Sequence, residues 1–121
     1  MTKTVLTIDD SRTMRDMLLM ALEDAGYTVI LAVDGVDGLE TLASKGADVI
    51  ITDINMPRMD GIDFIEGVRA DPNHRTTPVL VLTTESDAEK KARTRAAGAT
   101  GWIVKPFDPA KLVDAVRRVA A

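Results

Sequence analysis

Five short apolar runs, each with β-branched residues, recur along the chain and are separated by segments of helical periodicity. They are Thr4–Ile8, Thr28–Leu31, Asp48–Thr52, Pro78–Thr83 and Gly101–Val104. Each reads as nearly continuous apolar sequence, without the in-and-out alternation of a strand that has one wet face. Such runs suit strands covered on both faces, as in a parallel sheet flanked by helices.

The intervening segments supply the helices. Ser11 is suited to cap the first, Leu18, Ala21, Leu22 and Ala25 form its apolar stripe, and Gly26 ends it. A second helix is predicted over Val36–Ser44 with Gly46 after it, and a third over Gly61–Ala70, stopping before Pro72. A fourth fits Asp87–Ala97 with Gly98 at its end. The fifth spans Pro109–Ala120, with Asp108 as cap and Pro109 in the first helical position; Arg117 and Arg118 suit its C-terminal end. The reading is an α/β fold: (βα)5, a doubly wound five-stranded parallel sheet with right-handed crossovers. Its 121 residues suit one domain. No linker, repeat or low-complexity tract divides residues 1–121, and no output domain is expected.

Composition removes several functions. There is no cysteine, which excludes disulfides and thiolate metal sites, and a single histidine, His74, excludes a multi-histidine site within one chain. The net charge of −4 lacks the basic footprint of a nucleic-acid binder. No signal-peptide pattern and no apolar stretch of spanning length is present, so a cytoplasmic protein that binds neither nucleic acid nor membrane is expected.

In open parallel sheets, ligands bind beyond the carboxyl ends of the strands. The notable polar residues fall there. Asp9 and Asp10 follow the first strand in "TVLTIDDSRTMR", and Asp53 follows the third in "VIITDINMPRMDG". Thr83 ends the fourth in "VLVLTTESD", and Lys105 follows the fifth in "WIVKPFDP". The second strand ends in Ala32-Val33 and offers nothing comparable. Three crowded carboxylates repel one another, and a hard divalent cation such as Mg²⁺ relieves them. A carboxylate can attack phosphorus to form an aspartyl phosphate, with cations neutralising charge on the transferring group and the Thr83 hydroxyl bonding a phosphoryl oxygen. Asp53, alone on the presumed middle strand, is the best nucleophile candidate.

The fragments "DDSRTMR", "DINMPRMDG", "TTE" and "KPF", in this order and spacing, make the chain resemble response-regulator receiver domains of the single-domain chemotaxis (CheY-like) type over essentially its whole length. The resemblance implies the strand order 2-1-3-4-5 of flavodoxin-like folds. It implies that Asp53 accepts a phosphoryl group from a CheA-like histidine kinase. Asp10, Asp53 and the Asn55 backbone carbonyl would ligate Mg²⁺, with Asp9 acting mostly through water. Thr83 and Lys105 would contact the phosphoryl group, and Thr83 and Trp102 would switch the face of the fourth helix, fifth strand and fifth helix. Trp102 departs mildly from the usual Tyr or Phe. Asn55 and Glu85 match positions that tune dephosphorylation, and Lys105-Pro106 matches a peptide that is usually cis. The implied target is a flagellar motor switch protein, and the implied state a monomer. Such a domain is a phosphoacceptor switch and not an enzyme in the ordinary sense.

Other readings compete. The protein could be a phosphate sink that drains a shared kinase, or a non-chemotaxis phosphorelay regulator. A Mg²⁺-dependent phosphatase of the haloacid-dehalogenase type would want an Asp-x-Asp pair, whereas Asp9 and Asp10 are adjacent. A phosphorylation-independent scaffold fits poorly with a complete acid, threonine and lysine set. Among blander features, Met14, Met17 and Met20 are expected to fill gaps beside the first helix, His74 to be an exposed loop residue, and "ESDAEKKARTR" to be a solvated helix face that overlaps the partner surface.

Overall fold

The computed structural model describes residues 2–84 and 88–120. Its elements run β1 (Thr4–Ile8), α1 (Arg12–Asp24), β2 (Thr28–Ala32), α2 (Gly35–Lys45), β3 (Val49–Asp53) and α3 (Gly61–Ala70). After a short 3-10 turn at Pro72–His74 come β4 (Val79–Thr83), α4 (Ala88–Ala97), β5 (Gly101–Val104) and α5 (Pro109–Ala120). All neighbouring strands are parallel, in the order β2-β1-β3-β4-β5. This is the expected doubly wound α/β sheet.

Boundaries differ from the sequence reading by a residue at several ends. Pro78 has no N–H to donate, so β4 begins at Val79. Asp48 stands outside β3, and its carboxylate accepts the Thr4 N–H at 2.7 Å. Asp87 lies outside the described residues.

Successive strand residues face opposite sides of the sheet and build two cores. Val5, Val49, Ile51, Leu80 and Leu82 meet Leu18 and Leu22 of α1 and Leu112 and Val116 of α5. Leu6, Ile8, Ile50, Val79 and Val81 meet Leu42 of α2 and Phe64, Ile65 and Val68 of α3. Each such fully buried side chain contributes about 1.5–3 kcal/mol of transfer free energy. Burial on both faces holds for β1, β3 and β4. The edge strands keep open positions, with Leu31 at 36% and Val104 at 55% exposure.

Helix starts are capped by side chains. Ser11 accepts from Met14 N–H, Asp34 from Asp37 N–H and Asp60 from Asp63 N–H, and Asp108 accepts from Ala110 N–H. Gly26, Gly46 and Gly98 take positive φ just past α1, α2 and α4. The described part of the charged run in α4 is mostly exposed, and Thr94 is the buried residue of that helix.

Two expectations need correction. His74 is half-buried, and its Nδ1 lies 2.9 Å from Thr77 Oγ1, because the 3-10 turn folds it back against the strand entering the sheet. Of the α1 methionines only Met14 packs against the core. Met17 and Met20 are 42% and 67% exposed, since the helix turns their face outward. Arg69, which the sequence did not single out, donates to the carbonyls of Gly98, His74 and Thr77 and ties α3 to the end of α4.

Candidate functional site

The site lies at the carboxyl end of the sheet, where β1, β3, β4 and β5 give way to loops. Asp53 is the last residue of β3, and β1 and β4 lie on either side of it. Its Oδ1 accepts the Ile54 N–H at 2.7 Å, which fixes the carboxylate plane. Its Oδ2 lies 3.0 Å from Lys105 Nζ. The same ammonium donates to Asp9 Oδ2 at 3.2 Å. Asp9 is wholly buried, accepts the Ser11 N–H on Oδ1 at 2.9 Å, and gives its backbone carbonyl to Arg15. Asp10 is exposed on the other side of the turn. One carboxylate oxygen each from Asp9, Asp10 and Asp53 lie within 4.8 Å of one another.

Electrostatics follow from this packing. Burial pushes the Asp9 carboxyl above its ordinary value, and the nearby Asp53 charge acts in the same direction. The Ser11 amide and the Lys105 charge oppose them without prevailing. For Lys105 burial alone would lower the pKa, but the hydrogen bond to Asp53 and the charges of Asp53 and Asp9 outweigh it and leave the ammonium above its usual range. One lysine thus serves two carboxylates while a third stands beside them. An oxygen-only donor set of this number and spacing fits a hard cation such as Mg²⁺ and is unsuited to a soft one.

Thr83 ends β4, is buried, and gives its backbone carbonyl to the Lys105 N–H at 2.8 Å. The Lys105-Pro106 peptide is cis. Asn55 is exposed in the loop two residues past Asp53, and Glu85 lies outside the described residues. Trp102, in β5, is half-buried. Its indole N–H donates to Thr94 Oγ1 at 2.8 Å, and the Arg95 guanidinium sits 4.9 Å from its ring centroid. Beside it an open cleft of about 380 Å³ is lined by Trp102, Val104, Pro106, Phe107, Lys111 and Ala115, among others.

The end of β2 is not empty, contrary to expectation. Asp34 is buried there, and Arg58, from the loop after β3, grips it with Nε–Oδ2 at 2.7 Å and Nη2–Oδ1 at 2.9 Å. The Arg58 fork, and then the Asp37 N–H, hold the Asp34 carboxyl below its ordinary value. An Asp before a glycine, with a second Asp three residues on, is a cap pattern the sequence displays; its cationic partner 24 residues away is visible only in the fold.

Residues 5–117 match the family described as response regulator receiver domain. The chain therefore belongs to the response-regulator receiver family, and within it to the CheY type of chemotaxis response regulators. It is 37% identical over 116 residues to the chemotaxis protein CheY of Pseudomonas aeruginosa, covering 95% of this chain and 94% of that one. The crystal structure of the chemotaxis protein CheY4 of Vibrio cholerae, grown at low pH, superposes with a TM-score of 0.95 at 45% identity, covering 98% of this chain and 99% of that one. The receiver domain of the sensor histidine kinase PA1611 from P. aeruginosa, solved with a magnesium ion coordinated in its active-site cleft, gives a TM-score of 0.92 at 25% identity, covering 99% and 98%. Among the described residues no helix is long and apolar enough to cross a membrane.

Proposed function

We propose that the protein is a phosphorylation-controlled binding switch with Asp53 as phosphoacceptor. The observation that carries this reading is the convergence of the Asp9, Asp10 and Asp53 carboxylates with Lys105 bridging two of them. The Asp53 carboxylate attacks the phosphorus of a phosphohistidine on a kinase partner. An O–P bond forms, the P–N bond breaks, and the leaving imidazole takes up a proton. Lys105, already 3.0 Å from Asp53, stays close enough to neutralise charge on the phosphoryl oxygens. The Thr83 hydroxyl hydrogen-bonds one of those oxygens. Asp10, Asp53 and the Asn55 carbonyl would hold Mg²⁺, with Asp9 acting mainly through water. When bound, the ion supplies Lewis-acid neutralisation of the transferring group. The magnesium reported in the cleft of the related kinase receiver supports this assignment.

Output runs through Thr83 and Trp102. A phosphoryl group that draws Thr83 inward favours one arrangement of α4 and β5, and the equilibrium moves by that differential affinity. The apolar cleft beside Trp102 favours a protein target, the flagellar motor switch by analogy with the chemotaxis relatives, over a pure phosphate sink. Asn55 and Glu85 tune loss of the phosphoryl group.

Incubation with Mg²⁺ and acetyl phosphate tests the reading by mass spectrometry. One added phosphoryl group is expected, absent without Mg²⁺ and absent in Asp53→Asn. A change in Trp102 fluorescence in the same tube is expected, since it is the only tryptophan. No adduct with either acetyl phosphate or a cognate kinase would sink the phosphoswitch. Multiple turnover on a phosphate monoester would instead make the protein a phosphatase.

A further inference from the structure

The loop that leaves Asp53 is fastened at two points. At its base the Gly61 N–H donates to Ile54 O at 2.7 Å, and Gly61 packs so closely on the Asp53 carbonyl that it has no room for a side chain. At its tip Arg58 reaches across to Asp34. Between these points stand Asn55, Met56 and Pro57. Arg58 is the one non-glycine residue with positive φ among the described residues, at 66°. That conformation is strained for an L-residue, so something must offset it.

The fork does so. Asp34 is buried and fixed as the cap of α2, and both of its oxygens are engaged: Oδ2 by Arg58 Nε, Oδ1 by Arg58 Nη2 and the Asp37 N–H. The loop tip therefore hangs from a rigid anchor, and planar bidentate geometry sets its direction as well as its distance. Met59 completes the attachment by packing on Gly35, where a Cβ would lie 2.9 Å from its side chain.

We propose that Asp34 and Arg58 form a positioning pair that holds the Asn55 loop in the conformation a divalent cation needs. Asn55 is exposed in that loop, so its backbone carbonyl is aimed by the loop. The proposal rests on the cation assignment made above. Groups behind a metal ligand that orient it change metal affinity by about 10–100-fold when removed.

Magnesium titration by calorimetry, with the metal alone, tests it on the whole chain. Arg58→Asn keeps a residue tolerant of positive φ but cannot reach Asp34. Asp34→Asn keeps the cap on α2 but removes the charge. Each is expected to weaken Mg²⁺ by about 10-fold. The double variant should be no weaker than either single one, and Arg58→Lys, with one donor for two, should fall between. The Mg²⁺ concentration for half-maximal phosphorylation of Asp53 should rise, with the rate at saturating Mg²⁺ kept. In the metal-free variants the Met59 and Gly61 amides should exchange faster. Wild type that binds Mg²⁺ alongside variants of unchanged affinity would overturn the pair and leave the site intact, even if thermal stability fell. Weakening in Arg58→Asn alone would also overturn it. Wild type that ignores Mg²⁺ would overturn both the pair and the cation assignment.

Discussion

Asp9 and Asp34 stand just beyond the carboxyl ends of neighbouring strands, both are buried, and each meets a basic side chain, yet the fold treats them in opposite ways. Asp34 has a guanidinium to itself in a two-pronged grip, and a helix N-terminal amide besides. Its ionised form is favoured. Asp9 shares one ammonium with Asp53, and burial beside that second carboxylate disfavours its charge. The first pair is electrostatically satisfied and holds shape. The second is held short of compensation, and that deficit gives the crevice an appetite for added positive charge.

Gly61 lies between the two regions, and Gly61→Ala should break the comparison most severely. A Cβ would collide with the Asp53 carbonyl oxygen and come within 2.8 Å of Ile54 Cα, and backbone cannot step aside as a side chain can. A loss of about 3 kcal/mol is expected in urea unfolding. Asp34→Ala comes next, at about 1–2 kcal/mol, mainly for the lost cap. The Arg58 side chain is 58% exposed, so its ion pair does little beyond offsetting the strained backbone at Arg58. A variant as stable as wild type would show that the cap is idle.

Asp9→Asn should act in the other direction and raise the unfolding midpoint of the metal-free protein at neutral pH, by less than Asp34→Ala lowers it. Because the folded-state pKa of Asp9 is raised, the stability from its bound proton is complete below the unfolded value and is lost as pH rises through the folded one. The gain in Asp9→Asn should therefore fade in acid. Asp34 is depressed, so its contribution is present above the unfolded value and lost as pH falls through the folded one. Asp34→Asn should thus cost stability at neutral pH and little in acid. Stability curves against pH for the two variants separate these behaviours, and parallel curves would refute the contrast. Mg²⁺ sharpens it further. It should stabilise wild type, by about 2.7 kcal/mol at a hundred times Kd, and Asp9→Asn less.

Much of this was legible in the chain. Near-continuous apolar runs announced strands covered on both faces, and cap residues and glycines placed α3 and α5 to the residue. The crevice was legible because parallel topology sends every strand's end to one rim, where Asp9, Asp53 and Lys105 meet and Thr83 ends β4. The Asp34–Arg58 grip was not legible, since a pairing across 24 residues depends on a loop conformation that local pattern does not encode. The outward turn of Met17 and Met20 escaped for a similar reason: which part of α1 is covered is decided by the packing of the whole fold. Trp102 was singled out, but its bond to Thr94 depends on where α4 lies.

Arg69 has a consequence for how α4 can move. Two of its guanidinium nitrogens hold the Gly98 carbonyl, at 3.1 and 2.8 Å, and a third holds the carbonyls of His74 and Thr77. Any rearrangement of α4 that keeps these bonds is a swing about a fulcrum at Gly98. The helix is then a lever hinged at its far end, with Thr94 and the tryptophan bonded to it on the short arm. Ala88, on the long arm, sweeps the widest arc, at the end of the helix that follows the β4 rim where Thr83 sits.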